Sequence, residues 1–140
     1  MATRDEIVDQ IAGFALFADL TTPQLDRLAH MFEEEVFPEG ARVLRQGLSG
    51  SAFYIILDGE AAVIAGGKRV NTLARGEFFG EISVLLGEAP VADIVAARPL
   101  RCLVLPGELL KEFLQSNPRV CYRILVAEAR KLANATRRGG

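Results

Sequence analysis

The chain has 140 residues, the size of one domain, and its 50% hydrophobic and 24% charged residues are an ordinary balance for a folded globular unit. A formal charge of −2 argues against a general affinity for nucleic acid, which needs clustered Lys and Arg, and no apolar run approaches the roughly 18 residues of a membrane span. The N-terminal residues place Asp5 and Glu6 where a secretory leader carries bases before a long apolar stretch, which predicts a cytoplasmic protein.

The first thirty-odd residues read as helical. Ile7, Ile11, Phe14 and Ala15 recur at helical spacing, and Leu16, Phe17 and Leu20 lead into a break. Thr21-Thr22-Pro23 is a helix start, with Thr21 as the cap, Pro23 in the first turn and Gln24 where a capping-box partner belongs. Leu25, Leu28, Ala29 and Phe32 then form one apolar face.

From Glu33 the pattern changes to short apolar runs separated by turn residues. Strands are predicted at residues 41–44, 52–57, 60–65 and 69–73, between turns at Pro38 to Gly40, Gly47 to Ser51, Asp58-Gly59, Gly66-Gly67 and Arg75-Gly76. Asp58-Gly59, lying between two apolar runs, predicts a two-residue hairpin. Residues 91–97 and 101–105 read as two more strands on either side of Arg98-Pro99. Turns at this spacing imply an antiparallel roll, barrel or sandwich.

After Pro106-Gly107 the helical period returns. A short helix is predicted over residues 108–115, and a longer one from Asn117-Pro118 to about Thr136. On the latter, Cys121, Leu125 and Leu132 share a stripe that Val120 and Ile124 widen. This apolar surface exceeds what one contact needs, so part of it packs on the roll or pairs with a second copy. The chain therefore reads as a single domain over residues 1–140: N-terminal helices (1–32), a β-roll (33–105) and C-terminal helices (107–136).

Little in the chain suggests catalysis. The sole histidine, His30, falls on a predicted helix outside the roll, so no strand histidine exists to hold a metal or to serve a nucleophile as its base. Cys102 and Cys121 match neither a CxxC redox pair nor a zinc half-site and read as reduced thiols. Arg137-Arg138 reads as a solvated tail. No enzyme activity, metal or cofactor is expected.

The informative stretch spans residues 78–93, from Phe78-Phe79-Gly80-Glu81-Ile82-Ser83 to Ala89-Pro90-Val91-Ala92-Asp93. Gly80 permits close approach of backbone, and a short helical turn begins near Glu81. Exposed amides at such a turn suit an anionic oxygen, and a carboxylate beside them can accept hydrogen bonds from sugar hydroxyls.

In context, this stretch resembles the phosphate-binding cassette of the cyclic-nucleotide-binding domain family, whose members include the bacterial cyclic AMP receptor protein and kinase regulatory subunits. Phe14-Ala15-Leu16-Phe17 resembles the family's opening motif. Gly40, Gly47, Phe53 to Glu60 and Gly76 match its hairpin glycines and central strand, and Cys102 to Leu105 with the two terminal helices match its closing strand and lid. The resemblance implies a jelly-roll-like β-roll with N-terminal helices and two C-terminal helices. It also implies that Gly80, Ile82 and Ser83 offer backbone to a phosphate and that Glu81 accepts from a ribose hydroxyl.

The family then expects a proline and an arginine, but here Ala89 and Pro90 stand at those positions, followed by Val91, Ala92 and Asp93. Arginine matters there because its planar fork pairs bidentately with phosphate at any relevant pH, whereas proline offers neither a side-chain donor nor an N–H. Arg75, Arg98 and Arg101 are the nearest bases in sequence, and each is expected to face solvent. Glu81 has two readings, as a ribose ligand or as a residue satisfying amides at the start of its own turn. The expected function is a non-enzymatic regulatory module with weak or lost cyclic nucleotide binding, acting through its C-terminal helix on a second copy or a partner protein. The alternative is a genuine receptor with a non-standard phosphate contact, or one for a less charged ligand held among Val63, Leu73 and Val91. Neither direct nucleic-acid binding nor a membrane role is expected.

Overall fold

In the computed structural model, which describes residues 2–48 and 52–139, two four-stranded antiparallel sheets stack face to face. Helices cover the outer side of one of them. The strands are β1 (Glu33–Phe37), β2 (Arg42–Leu44), β3 (Ala52–Asp58), β4 (Glu60–Ala65), β5 (Lys68–Ala74), β6 (Phe78–Phe79), β7 (Asp93–Ala96) and β8 (Leu100–Pro106). One sheet runs β1-β8-β3-β6 and the other β2-β7-β4-β5. This is the expected antiparallel roll.

The strand β3 shows how the layers divide. Phe53, Ile55 and Leu57 point into a core shared with the helices, whereas Ile56 and Tyr54 point into the space between the sheets. Both faces of β3 are thus covered, which is why the strand reads as an unbroken apolar run rather than an alternating one.

The N-terminal helices are α1 (Arg4–Ile11) and α2 (Thr22–Ala29), with a 3-10 turn at Ala15–Phe17 between them. The capping box at Thr21 forms as expected, Thr21 Oγ1 accepting from Gln24 N and Gln24 Oε1 accepting from Thr21 N. His30 ends α2 at the surface, where it contacts the Asp26 carbonyl and the Arg4 guanidinium. The predicted turn at Gly47 to Ser51 lies partly outside the described residues, since Ser49 to Ser51 are not among them.

Two sequence expectations need correction. First, Asp58-Gly59 does not close a hairpin, because β3 pairs with β6 and β8 while β4 pairs with β5 and β7. The dipeptide is a corner at which the chain passes from one sheet to the other. Gly59 is needed there because a Cβ would stand 2.2 Å from the carbonyl oxygen of Pro99, at a φ of +98°. The two-residue hairpin is instead Gly66-Gly67, both with positive φ, between β4 and β5. Second, Glu33-Glu34-Glu35 begins β1, an edge strand whose charge conceals it. Glu34 is held by Arg101 at 2.9 Å and by Ala2 N at 3.2 Å.

C-terminal to the roll come a 3-10 turn at Gly107–Leu109, α4 (Leu110–Ser116) and α5 (Pro118–Gly139), which runs a little past the predicted end. Val120 and Ile124 are buried against the fold, while Tyr122, Leu125 and Leu132 are exposed. The wide stripe seen in the sequence is therefore two faces, one packed and one open. No helix among the described residues is long and apolar enough to cross a membrane.

Candidate functional site

The site is built around α3 (Glu81–Leu86), which follows directly from β6. Gly80 caps it with φ +91°, and a Cβ at that position would stand 2.3 Å from the carbonyl oxygen of Ala52. Only glycine allows β3 and α3 to approach so closely. The approach carries Glu81 and Ser83 into the interior, at 2% and 7% exposure, and leaves Ile82, Leu85 and Leu86 exposed. Ser83 Oγ donates to the carbonyl of Gly80 at 3.2 Å, tying the turn together.

A cavity of about 180 Å³ opens beside this turn. Its apolar walls come from Leu44, Val63, Leu73, Phe79 and Ile94, and one side is formed by Gly80, Glu81, Ile82, Ser83, Pro90, Val91 and Ala92. The fold thus brings together all seven residues singled out in the sequence. Pro90 is buried, and its carbonyl accepts from Gly47 N at 3.0 Å, which holds the turn against the start of the β2–β3 connection. Asp93 is directed elsewhere: Oδ1 accepts from Gln46 N at 2.7 Å and Oδ2 lies 3.9 Å from Arg42 Nε.

None of the three arginines considered from the sequence lines the cavity. Arg75 lies over the Phe14 ring, Arg98 faces Glu60 at 3.9 Å, and Arg101 pairs with Glu34. The cation that does line the cavity, Lys131, was missed in the sequence. It comes from α5, on the stripe that continues Val120, Ile124 and Ala127 at helical spacing. A charged residue on an otherwise apolar face was the available signal.

Lys131 Nζ lies 3.6 Å from Glu81 Oε1, 3.1 Å from Glu128 Oε1 and 4.6 Å from the centre of the Phe78 ring. Glu81 Oε2 is buried with no N–H donor among the described residues, and its carboxyl stands against that of Glu128. Burial pushes the Glu81 pKa up to about 7, and the neighbouring Glu128 carboxyl adds to the rise while Lys131 opposes it. The two carboxyls and the ammonium join α5 to the cassette turn.

Comparisons with known proteins agree with this architecture. The family model described as "Cyclic nucleotide-binding domain" matches residues 34–117. A cGMP-dependent protein kinase of Eimeria tenella is 31% identical over 119 residues, 85% of this chain but 12% of the kinase. The catabolite activator protein of Thermus thermophilus superposes with a TM-score of 0.79 at 28% identity, over 86% of this chain and 59% of that one. The regulatory subunit of a cAMP-independent protein kinase A from Trypanosoma brucei superposes with a TM-score of 0.76 at 25% identity, over 86% and 46% respectively. The chain thus spans about an eighth of the kinase and roughly half of the two solved proteins. With the family match covering most of the roll and the glycine-turned cassette in its place against β3, this chain belongs to the cyclic nucleotide-binding domain family, whose members are regulatory modules.

Proposed function

We propose that this chain is a non-enzymatic regulatory module in which cyclic nucleotide binding is weakened or lost, and which acts through protein contacts of α5. One observation carries the reading: buried Pro90 lines the pocket at the position where the family resemblance calls for arginine, and no arginine lines the pocket among the described residues. A charge-assisted hydrogen bond contributes about 1.5–3 kcal/mol, so its absence weakens phosphate binding roughly 10- to 150-fold. The α3 helix, six residues long, compensates little. That a relative of similar fold is described as cAMP-independent supports the reading.

The output surface in this proposal is the open face of α5, with Tyr122, Leu125 and Leu132 at 66%, 63% and 70% exposure. An apolar face of this kind suits a second copy or a partner helix. Cytoplasmic location belongs to the same proposal.

The competing reading, a receptor with a displaced phosphate contact, has one candidate base in Lys131. That ammonium already faces two carboxyls, so an incoming phosphate must displace it and then sit beside Glu81 and Glu128. Isothermal titration with cyclic AMP and cyclic GMP decides between the readings: silence at micromolar concentrations supports the lost trigger, and micromolar binding overturns it. Pro90→Arg is the complementary gain-of-function test. The backbone at 90 is already anchored through its carbonyl and the side chain faces the pocket, so the variant is expected to bind at least about 10-fold more tightly than the parent.

A further inference from the structure

Charge is divided unevenly along the chain. The helix α5 holds six of the 16 lysines and arginines but only one of the 18 acids, Glu128. Beside its exposed apolar residues Tyr122, Leu125 and Leu132 stand Arg123, Arg130 and Arg137, each seven residues from the next. At about 1.5 Å of rise per residue, one flank of the helix thus presents an arginine roughly every 10 Å. The opposite flank, at the same spacing, carries Cys121, Glu128 and Ala135. Arg123 pairs with Asp19 at 2.8 Å, whereas neither Arg130 nor Arg137 has an acidic partner among the described residues. The arginine flank borders a groove of about 570 Å³ between α5 and the roll, lined by Leu16, Phe78, Tyr122, Val126, Arg123 and Arg130 among others.

Charge separates the occupants that such a face can take. A second copy brings the same three arginines and a single carboxylate, and Lys131 already holds that carboxylate at 3.1 Å. An anionic bilayer favours bases on both sides of an apolar face, but here only one flank is basic and the whole chain carries −2. A helix from another protein can bring a carboxylate every seven residues and lay its own apolar stripe against α5 and into the groove.

We propose that the open face of α5 and the adjoining groove dock an acidic amphipathic helix of a different protein. Its apolar residues cover Tyr122, Leu125 and Leu132, and its carboxylates, repeated every seven residues, meet Arg123, Arg130 and Arg137. The inference rests on the reading of α5 as the output surface and names the chemistry of the partner. Exposed ion pairs are individually weak, so the apolar contact supplies most of the affinity and the arginine row sets partner choice. At Arg123 an arriving carboxylate shares the guanidinium with Asp19, which leaves the selectivity mainly to Arg130 and Arg137.

The test uses the full chain and two fluorescein-labelled peptides as long as α5, with leucine at the first and fourth positions of each heptad. One carries glutamate at the flanking positions and the other lysine. Fluorescence anisotropy at low ionic strength is expected to show the glutamate peptide binding at least about 10-fold more tightly, with the difference shrinking as salt is added. Arg130→Glu with Arg137→Glu, both at exposed positions, should reverse the preference, an outcome that loss of fold does not produce. Leu125→Gln with Leu132→Gln should weaken both peptides. Equal binding of the two peptides, or of neither, overturns the inference. So does a dimer of the chain alone that Leu125→Gln dissolves in sedimentation equilibrium, or pelleting with phosphatidylserine vesicles in place of peptide binding. Peptide binding unmoved by the leucine substitutions overturns the reading of α5 as the output surface itself. Titration with cyclic AMP bears separately on the lost trigger: its binding overturns that reading and leaves the peptide result standing.

Discussion

Replacing Glu81 by Gln should remove most of the pH dependence of this fold's stability near neutrality. The folded-state pKa of about 7 lies above the ordinary 4.5 because the carboxyl is buried beside Glu128. Between those two values the folded protein holds a proton that the unfolded chain has released, so stability falls as pH rises from about 4.5 to about 7 and then levels off. The difference of roughly 2.5 units corresponds to about 3 kcal/mol at 1.36 kcal/mol per unit. For a chain of this size that is about 10 °C in Tm. Glutamine mimics the protonated acid in shape and charge, so the variant should match wild type near pH 4, below the ordinary value of 4.5, and exceed it by most of this amount at pH 8. Thermal or urea denaturation of both proteins across that range gives the difference curve, in which the exposed carboxylates common to both cancel. Parallel curves would refute the reasoning, since they would mean that Glu81 reaches water or that Lys131 fully offsets its burial.

Gly80→Ala forces a side chain into a left-handed backbone with its Cβ 2.3 Å from a carbonyl oxygen. Strain and displacement together should cost on the order of 3 kcal/mol or more, read from chemical denaturation. The Cys102 thiol is buried, and its pKa is pushed up to about 12 by that burial and by Glu35. At pH 8 a thiol reagent should label Cys121 in the native chain and reach Cys102 only after unfolding, as mass spectrometry of timed samples will show. Thr21→Ala removes one half of the α2 capping box and should cost about 1 kcal/mol, a fall in Tm of roughly 3 °C.

Local features carried much of this fold into the sequence. The Thr21 cap and Gln24, the alternation of short apolar runs with glycine turns, and the return of helical period after Pro106 each depend on neighbours a few residues apart, and each appears in the structure. The cassette was legible through its resemblance to the family's motif, which sets Gly80 beside Glu81 and expects an arginine where Pro90 stands. Asp58-Gly59 marks the limit of this approach. A chain corner and a hairpin use the same dipeptide, and which one forms depends on whether β4 finds its partner in β3 or in β5 and β7, a choice made by packing of distant strands. β1 was hidden likewise, since three successive glutamates give no apolar period and Glu34 is accommodated only by Arg101, far along the chain.

The sequence alone therefore determined the alternation of helices and strands and the place of the Gly80-Glu81 turn, which are written in short-range spacing, while its resemblance to the family supplied the class of fold and the expectation of an arginine where Pro90 stands. Only the tertiary structure decided which cation lines the pocket. Lys131 lies 50 residues from Glu81 along the chain, and their meeting depends on α5 folding back across α3 and β6. That contact, with the burial that raises the Glu81 pKa, is a property of the packed layers that no local pattern encodes.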